Sequence, residues 1–327
     1  MRVRAIVLTL LSAIAVSTAS PVDAQAPKKA ARIGVLYPSG DNPVFRANFE
    51  GFRQGMAAAG WVDGKNLTFE YRFGDTPKRT TELGVALARE NVDLILGIAT
   101  GGVEAARTAT TRIPVVALDL ETDPIAAGLV KSLPRPGGNL TGVFLDLPEL
   151  AGKWIELLKA TAPALSRVAV LWDPATRSAQ WDAARQAAQV LRLQVIGVQA
   201  RTVADIDDAF RTAVQERANG VVVLTSPLFN AGRKRIIELE AQHRLPTVLP
   251  FPGFAKDGGL VAYGPDVFTM YGQCAVIASK ILAGTPPSNI PIERPTRFSL
   301  SFNRKTAKAL GLEIPPSLLL RADEVFE

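Results

Sequence analysis

Thiol and imidazole chemistry is almost missing from this chain: its 327 residues include a single cysteine, Cys274, and a single histidine, His243. One cysteine excludes an internal disulfide. One of each excludes a thiolate or imidazole metal cluster, and no Cys-His pair stands close in sequence for nucleophilic catalysis. Cys274 sits in the apolar helical stretch "FTMYGQCAVIASKIL" and reads as core. His243 lies in "AQHRLP", near a helix C-terminus where the dipole favours a positive ring. Counting leaves an all-oxygen metal site open, but no D-x-D-x-D-G loop supports one, so neither metal nor cofactor is expected. Basic residues outnumber acidic ones, 37 to 31, yet only Lys28-Lys29 and Arg233-Lys234-Arg235 form short clusters. A nucleic-acid surface concentrates its charge and interleaves aromatics, so no nucleic-acid partner is expected.

Nucleotide motifs are missing too. The stretch "DLILGIATGGVEAARTA" runs from an apolar strand through glycines into an alanine-rich helix. A P-loop needs Lys and then Ser or Thr after its last glycine, whereas Gly102 is followed by Val103 and Glu104. A dinucleotide fingerprint belongs to the first strand-helix turn of a domain, whereas Gly97, Gly101 and Gly102 fall in what reads as the third unit. No G-x-S-x-G is present. What remains is a smaller anion, because backbone N-H groups and the positive end of a helix dipole converge at such a junction.

The N-terminus is set apart from the fold. Arg2 and Arg4 precede an apolar run ending at Val16, and small residues close on Ala24-Gln25-Ala26. The run is shorter than the roughly 20 apolar residues of a spanning helix. Residues 1–26 read as a cleavable secretory signal peptide, with no lipoprotein cysteine and no Arg-Arg pair. The expectation is a free periplasmic protein beginning near Pro27.

About 300 residues then remain, enough for two domains of ~150. Strand-like and helical runs alternate: "ARIGVLYP", "VFRANFEGFRQGMAAAG", "NLTFEYRF", "KRTTELGVALARE", the strand at Asp93 with its helix, then "IPVVALDL". After "RPGGNLTGVFLDLP" the pattern restarts with "ELAGKWIELLKATAP" and "SRVAVLWDP" and continues to "LPTVLPF". Such βαβα order predicts an α/β fold of two doubly wound parallel-sheet lobes with a cleft between them. A short strand "GGLVAYGPD", a helix over 267–282 and the proline-rich "GTPPSNIPIERPT" end the chain with "RFSLSFN" and "RKTAKALGLEIPPSLLLRADEVFE". Pro286, Pro287, Pro291 and Pro295 stiffen a connection able to run between lobes.

The stretches "IPVVALDLETDPIAAGLVKSLPRPGGNLTG", "ELAGKWIELLK", "SRVAVLWDP", "HRLPTVLPFPGFAKDGGLVAYGPD" and "FNRKTAKALGLEIPPSLLLRADEVFE" resemble the ABC transporter substrate-binding proteins of the TrpX type, over about 32–327. These are type I periplasmic binding proteins, several associated with tryptophan or tyrosine uptake. The resemblance implies two lobes joined by a three-segment hinge, with crossovers near 145–148, 264–266 and 292–296. It places residues 27–146 plus 266–291 in an N-terminal lobe and 147–265 plus 292–327 in a C-terminal lobe. It also implies a monomer that captures a small solute, an amino acid or a related aromatic or carboxylate compound, for an inner-membrane ABC permease. A ligand-sensing module for a membrane receptor uses the same fold, and a secreted α/β enzyme is the third class; the failed phosphate and nucleophile motifs count against it.

In open α/β sheets ligands gather beyond the carboxyl ends of the strands. Those ends carry Tyr37 and Ser39, Thr100-Gly101-Gly102, and Asp119 in the first half, and Trp172-Asp173, Thr225-Ser226 and Phe251 in the second. By resemblance, the turn at Thr100, Gly101 and Gly102 contacts an amino-acid carboxylate; glycines serving close helix packing are the alternative. An ammonium needs a carboxylate acceptor, for which Asp119 is the first choice and Asp146 and Asp173 are alternatives. Tyr37, Phe144 and Trp172 are candidates for an apolar or stacking wall, against the alternative of core packing. Asp266, next to Gly264-Pro265, reads equally as a helix cap.

Overall fold

A computed structural model describes residues 30–145, 148–176 and 179–327. The expected signal peptide and the candidate Asp146 lie outside these residues. The first sheet holds β1 (Ala31–Tyr37), β2 (Leu67–Phe73), β3 (Leu94–Ile98), β4 (Val115–Asp119) and β5 (Leu140–Phe144), in the order β2-β1-β3-β4-β5, every neighbour parallel. Its connecting helices are α1 (Pro43–Ala58), α2 (Pro77–Arg89) and α3 (Ala99–Ala109). β3, β4 and β5 are buried at every residue, which is why they read as unbroken apolar runs. β5 went unread in "NLTGVFLDLP", where glycine and asparagine mask a strand.

The second lobe follows as α4 (Glu149–Thr161), β6 (Arg167–Trp172), α5 (Gln180–Val190), β7 (Gln194–Gln199), α6 (Asp205–Gln215), β8 (Gly220–Val223), α7 (Pro227–Ala231), α8 (Arg233–His243), β9 (Thr247–Leu249), α9 (Pro252–Lys256) and β10 (Val261–Pro265). Then come α10 (Val267–Leu282), β11 (Phe298–Asn303), α11 (Arg304–Leu310), α12 (Pro316–Leu319) and β12 (Glu324–Phe326). The sheet runs β12-β11-β10-β9-β8-β6-β7 and is parallel except where β11 lies antiparallel to β10. A wholly parallel sheet was expected. The exception arises because β11 is reached through the other lobe, so no local crossover helix fixes its direction.

Helix α1 starts where sequence chemistry requires. Asn42 Oδ1 accepts the Phe45 N-H at 2.9 Å, and Pro43 occupies the first turn. Phe45, Phe49, Phe52 and Met56 then form its buried face. α10, entered from β10, packs along α1 and against β4 and β5, so it belongs with the first sheet. Glycines permit that closeness: a Cβ at Gly51 would stand 2.2 Å from the Phe268 carbonyl oxygen, and one at Gly55 2.6 Å from the Ala275 methyl. Asp266 caps α10 by accepting the Phe268 N-H at 3.2 Å. After α10, Ile292 N-H reaches Leu133 O at 2.8 Å, and Glu293 exchanges bonds with Gly142 O at 2.9 Å and Phe144 N-H at 3.0 Å. The chain therefore leaves the first lobe only after Glu293. Cys274 is fully buried beside Ala117, as core. No helix among the described residues is long and apolar enough to cross a membrane.

Candidate functional site

The carboxyl ends of both sheets face a common cavity. The first lobe contributes Tyr37 from the end of β1, Ile98 and Ala99 from the β3-α3 junction, Leu118, Leu120 and Glu121 from the end of β4, and Phe45 and Asn48 from α1. Val267 and Tyr271 of α10 complete that side. The second lobe adds Ser226, Pro227 and Asn230 around the start of α7, and Phe251 after β9. Tyr37 stacks on Phe45 at 4.9 Å, and Phe45 on Phe49 at 5.4 Å, so the aromatic wall is continuous with the core. About 40 Å³ is open to the centre of a water molecule, the room of a few waters. The lobes touch directly: Thr225 Oγ1 donates to Leu120 O at 3.4 Å, α1 meets α7, and α3 meets the turn at Pro174–Thr176.

No glycine loop opens α3. Ala99 makes the turn, in the left-handed region at φ 56°, and Thr100, Gly101 and Gly102 are already the first helical turn. The sequence suggested a loop because glycine usually supplies positive φ. Gly102 is instead a packing residue: a Cβ there would lie 2.6 Å from Leu36 O. The first-turn N-H groups of α3 have no carbonyl four residues back within the helix, which keeps them available.

Two carboxylates end β4. Asp119 is fully buried, and its Oδ1 accepts the Thr100 hydroxyl at 3.2 Å and the N-H groups of Glu121 and Thr122 at 3.0 and 3.1 Å. It shapes the loop and does not line the cavity. Glu121, which sequence reasoning passed over, does line it. Burial, and then the neighbouring Asp119 charge, push its carboxyl well above the usual carboxylate range; burial raises Asp119 too, against the hydrogen bonds it accepts. Asp119 Oδ2 and Glu121 Oε2 are both buried and without a hydrogen-bond partner among the described residues. Among the lining residues no Lys, Arg or His supplies a counter-charge.

The other candidates disperse. Of those named from sequence, Tyr37, Ser226 and Phe251 line the cavity. Asp173 is buried, its carboxylate accepting the Ser226 hydroxyl at 2.7 Å and the Ala175 N-H at 2.9 Å. Phe144 is fully buried in a separate core cluster with Leu36, Ile95 and Val103. Trp172 stacks on Trp181 at 5.4 Å. Ser39 is half-buried beyond β1, outside the lining. Phe45, Asn48, Asn230 and Tyr271 were not anticipated: each sits on a helix whose sequence shows an amphipathic face but not which part of it meets a cleft.

The sequence profile of the ABC transporter substrate binding protein family matches residues 33–326. A tyrosine-binding protein of Clostridioides difficile (strain R20291) is 25% identical over 278 residues, 84% of this chain and 79% of that protein. An ABC domain in complex with L-Trp from Streptococcus pneumonia is similar in structure, with a TM-score of 0.81 at 24% identity, covering 91% of this chain and all of that one, 100%. The ligand-free, open structure of a substrate-binding protein with adhesive properties from Clostridium difficile gives a TM-score of 0.63 at 25% identity, covering 91% of this chain and 99% of that one.

Proposed function

Because the chain belongs to the family of ABC transporter substrate-binding proteins, we propose that it is a TrpX-like receptor, which captures an amino acid or related aromatic amine between its lobes for an inner-membrane permease. The observation that carries this reading is Glu121: a buried carboxyl at an aromatic-lined cavity with no basic residue in its lining. A buried carboxylate is unfavourable without a positive partner, and a ligand ammonium supplies one. Tyr37, Phe45, Phe251 and Tyr271 form the surface for an apolar or aromatic side chain. Asp119, Asp173, Thr100, Gly101 and Gly102 frame the loops that present these groups. The relatives described as binding tyrosine and L-Trp support the ligand class.

The lobe division proposed is 27–146 with 266–293 against 147–265 with 294–327, two residues later than the sequence implied, because Ile292 and Glu293 still bond to the first lobe. Export to the periplasm rests on the sequence of residues 1–26, and a monomer suffices because both walls of the cavity come from one chain. The test is thermal unfolding of the purified mature protein with tyrosine, tryptophan, tyramine, benzoate and galactose. A ligand of the native state raises the midpoint. Tyrosine or tryptophan should raise it and galactose should not; stabilisation by galactose or benzoate alone would overturn the reading.

A further inference from the structure

The cavity offers an acceptor for an ammonium, but its lining holds no basic side chain for the carboxylate of an amino acid. The donors must therefore be neutral. In the second lobe Ser226 is occupied, donating to Asp173 at 2.7 Å and capping α7 by accepting the Leu228 N-H at 3.1 Å. Pro227 has no N-H, and Phe251 is apolar. Asn230 is left, half-buried, with no hydrogen bond from its side-chain amide among the described residues. In the first lobe Asn48 is its counterpart, also half-buried, lining the same cavity and equally without a side-chain partner among the described residues. Asn48 sits in the middle of α1, three residues after Phe45 and four before Phe52 on the inward face. Asparagine is a poor helix former, and this amide makes no side-chain hydrogen bond to the described residues. Nothing in the packing of α1 calls for that residue. The two asparagines stand on α1 and α7, helices that meet across the cleft.

We infer that Asn48 and Asn230 are the specificity-determining pair for the ligand's carboxylate, one amide from each lobe, so that the site selects α-amino acids over the corresponding amines. This rests on the amino-acid reading above and adds which residues read the second charged group. Such a clamp is complete only when the lobes are closed, so it couples recognition of the carboxylate to closure.

Titration calorimetry with tyrosine, tryptophan and the amines tyramine and tryptamine tests it on the mature protein. Asn48→Ala and Asn230→Ala should each weaken the amino acid that the parent binds by about tenfold or more, as for a hydrogen bond to a charged group, while changing the matching amine by about twofold or less. Asn48→Asp keeps the shape and adds a like charge, so it should reject the amino acid more strongly than Asn48→Ala while keeping the amine. Unliganded melting midpoints, close to that of the parent, exclude a folding defect. Equal losses for amino acid and amine, or no loss in either alanine variant, would overturn the inference while leaving the proposed function standing. A parent that binds neither amino acid and prefers the amine overturns the inference directly. A parent that binds none of the four removes the proposed function and this inference with it.

Discussion

At the scale of single residues, the strongest chemical feature is the pair of buried carboxyls at the end of β4. With burial raising Glu121 well above its ordinary value and Asp119 beside it, its carboxyl favours holding a proton, whereas a bound ammonium would favour the charged form. Ligand binding lowers the Glu121 value and releases that proton. The sign follows: affinity for an amine-bearing ligand should fall as pH drops through the raised Glu121 value and be flat above it. Calorimetry at one pH in buffers of different ionisation enthalpy should detect net proton release, and Glu121→Gln should abolish both the release and the pH dependence. Proton uptake on binding would contradict the pairing. Sequence alone singled out Asp119, because a charge ending an apolar strand is conspicuous. Glu121 was illegible: "DLETD" offers three acids in five positions, and only the folded loop shows which one turns inward. Asn48 was hidden for a similar reason, since one polar residue does not disturb the periodicity of Phe45, Phe49, Phe52 and Met56.

At the scale of elements, periodicity was readable and close approach was not. Alternating apolar strands and amphipathic helices were visible because each buries a face whose spacing the sequence must keep. β12 escaped notice because "ADEVF" is charged and exposed, its placement coming from pairing with β11. The glycines around α3 suggested a ligand loop, whereas at Gly102 the missing side chain serves contact with β1. The same logic governs the α1-α10 crossing, and there it can be tested. Gly51→Ala should gain up to about 1 kcal/mol of helix propensity. It must also place a methyl 2.2 Å from the rigid Phe268 carbonyl oxygen, and overpacking of this kind typically costs about 1 to 3 kcal/mol. The clash should win, so thermal or denaturant unfolding should show a net loss of stability; Gly40→Ala, with nothing within 4 Å of the added methyl, is the control. A neutral or stabilised Gly51→Ala would mean that the two helices are free to separate.

At the scale of the whole molecule, the two lobes and their cleft were legible from the restart of the βα pattern, and the path between them from the prolines of the tail. The relative setting of the lobes was not, because it depends on contacts such as Thr225 to Leu120 that involve backbone atoms. The lobes touch across the cleft. Because the lobes meet over the cavity, parting them is the expected route for a ligand to enter. Solution scattering should show the radius of gyration decreasing when a true ligand is added, because a ligand bridging both lobes shifts the population toward closure. An unchanged radius at saturation would place binding on one lobe.

The position of α10 in the chain has a further consequence, for the order in which the protein is made. Its partners α1, β4 and β5 are synthesised early, but α10 follows all of α4 to β10, so the apolar face it covers stays bare until most of the second lobe has emerged. The lobe that begins first is thus completed only after α4 to β10 of the other have been made. A chain synthesised N-terminus first cannot close that core midway, and its folding barrier carries the cost of a contact spanning more than two hundred residues. Late assembly of the first half is thus a delay built into the order of the chain.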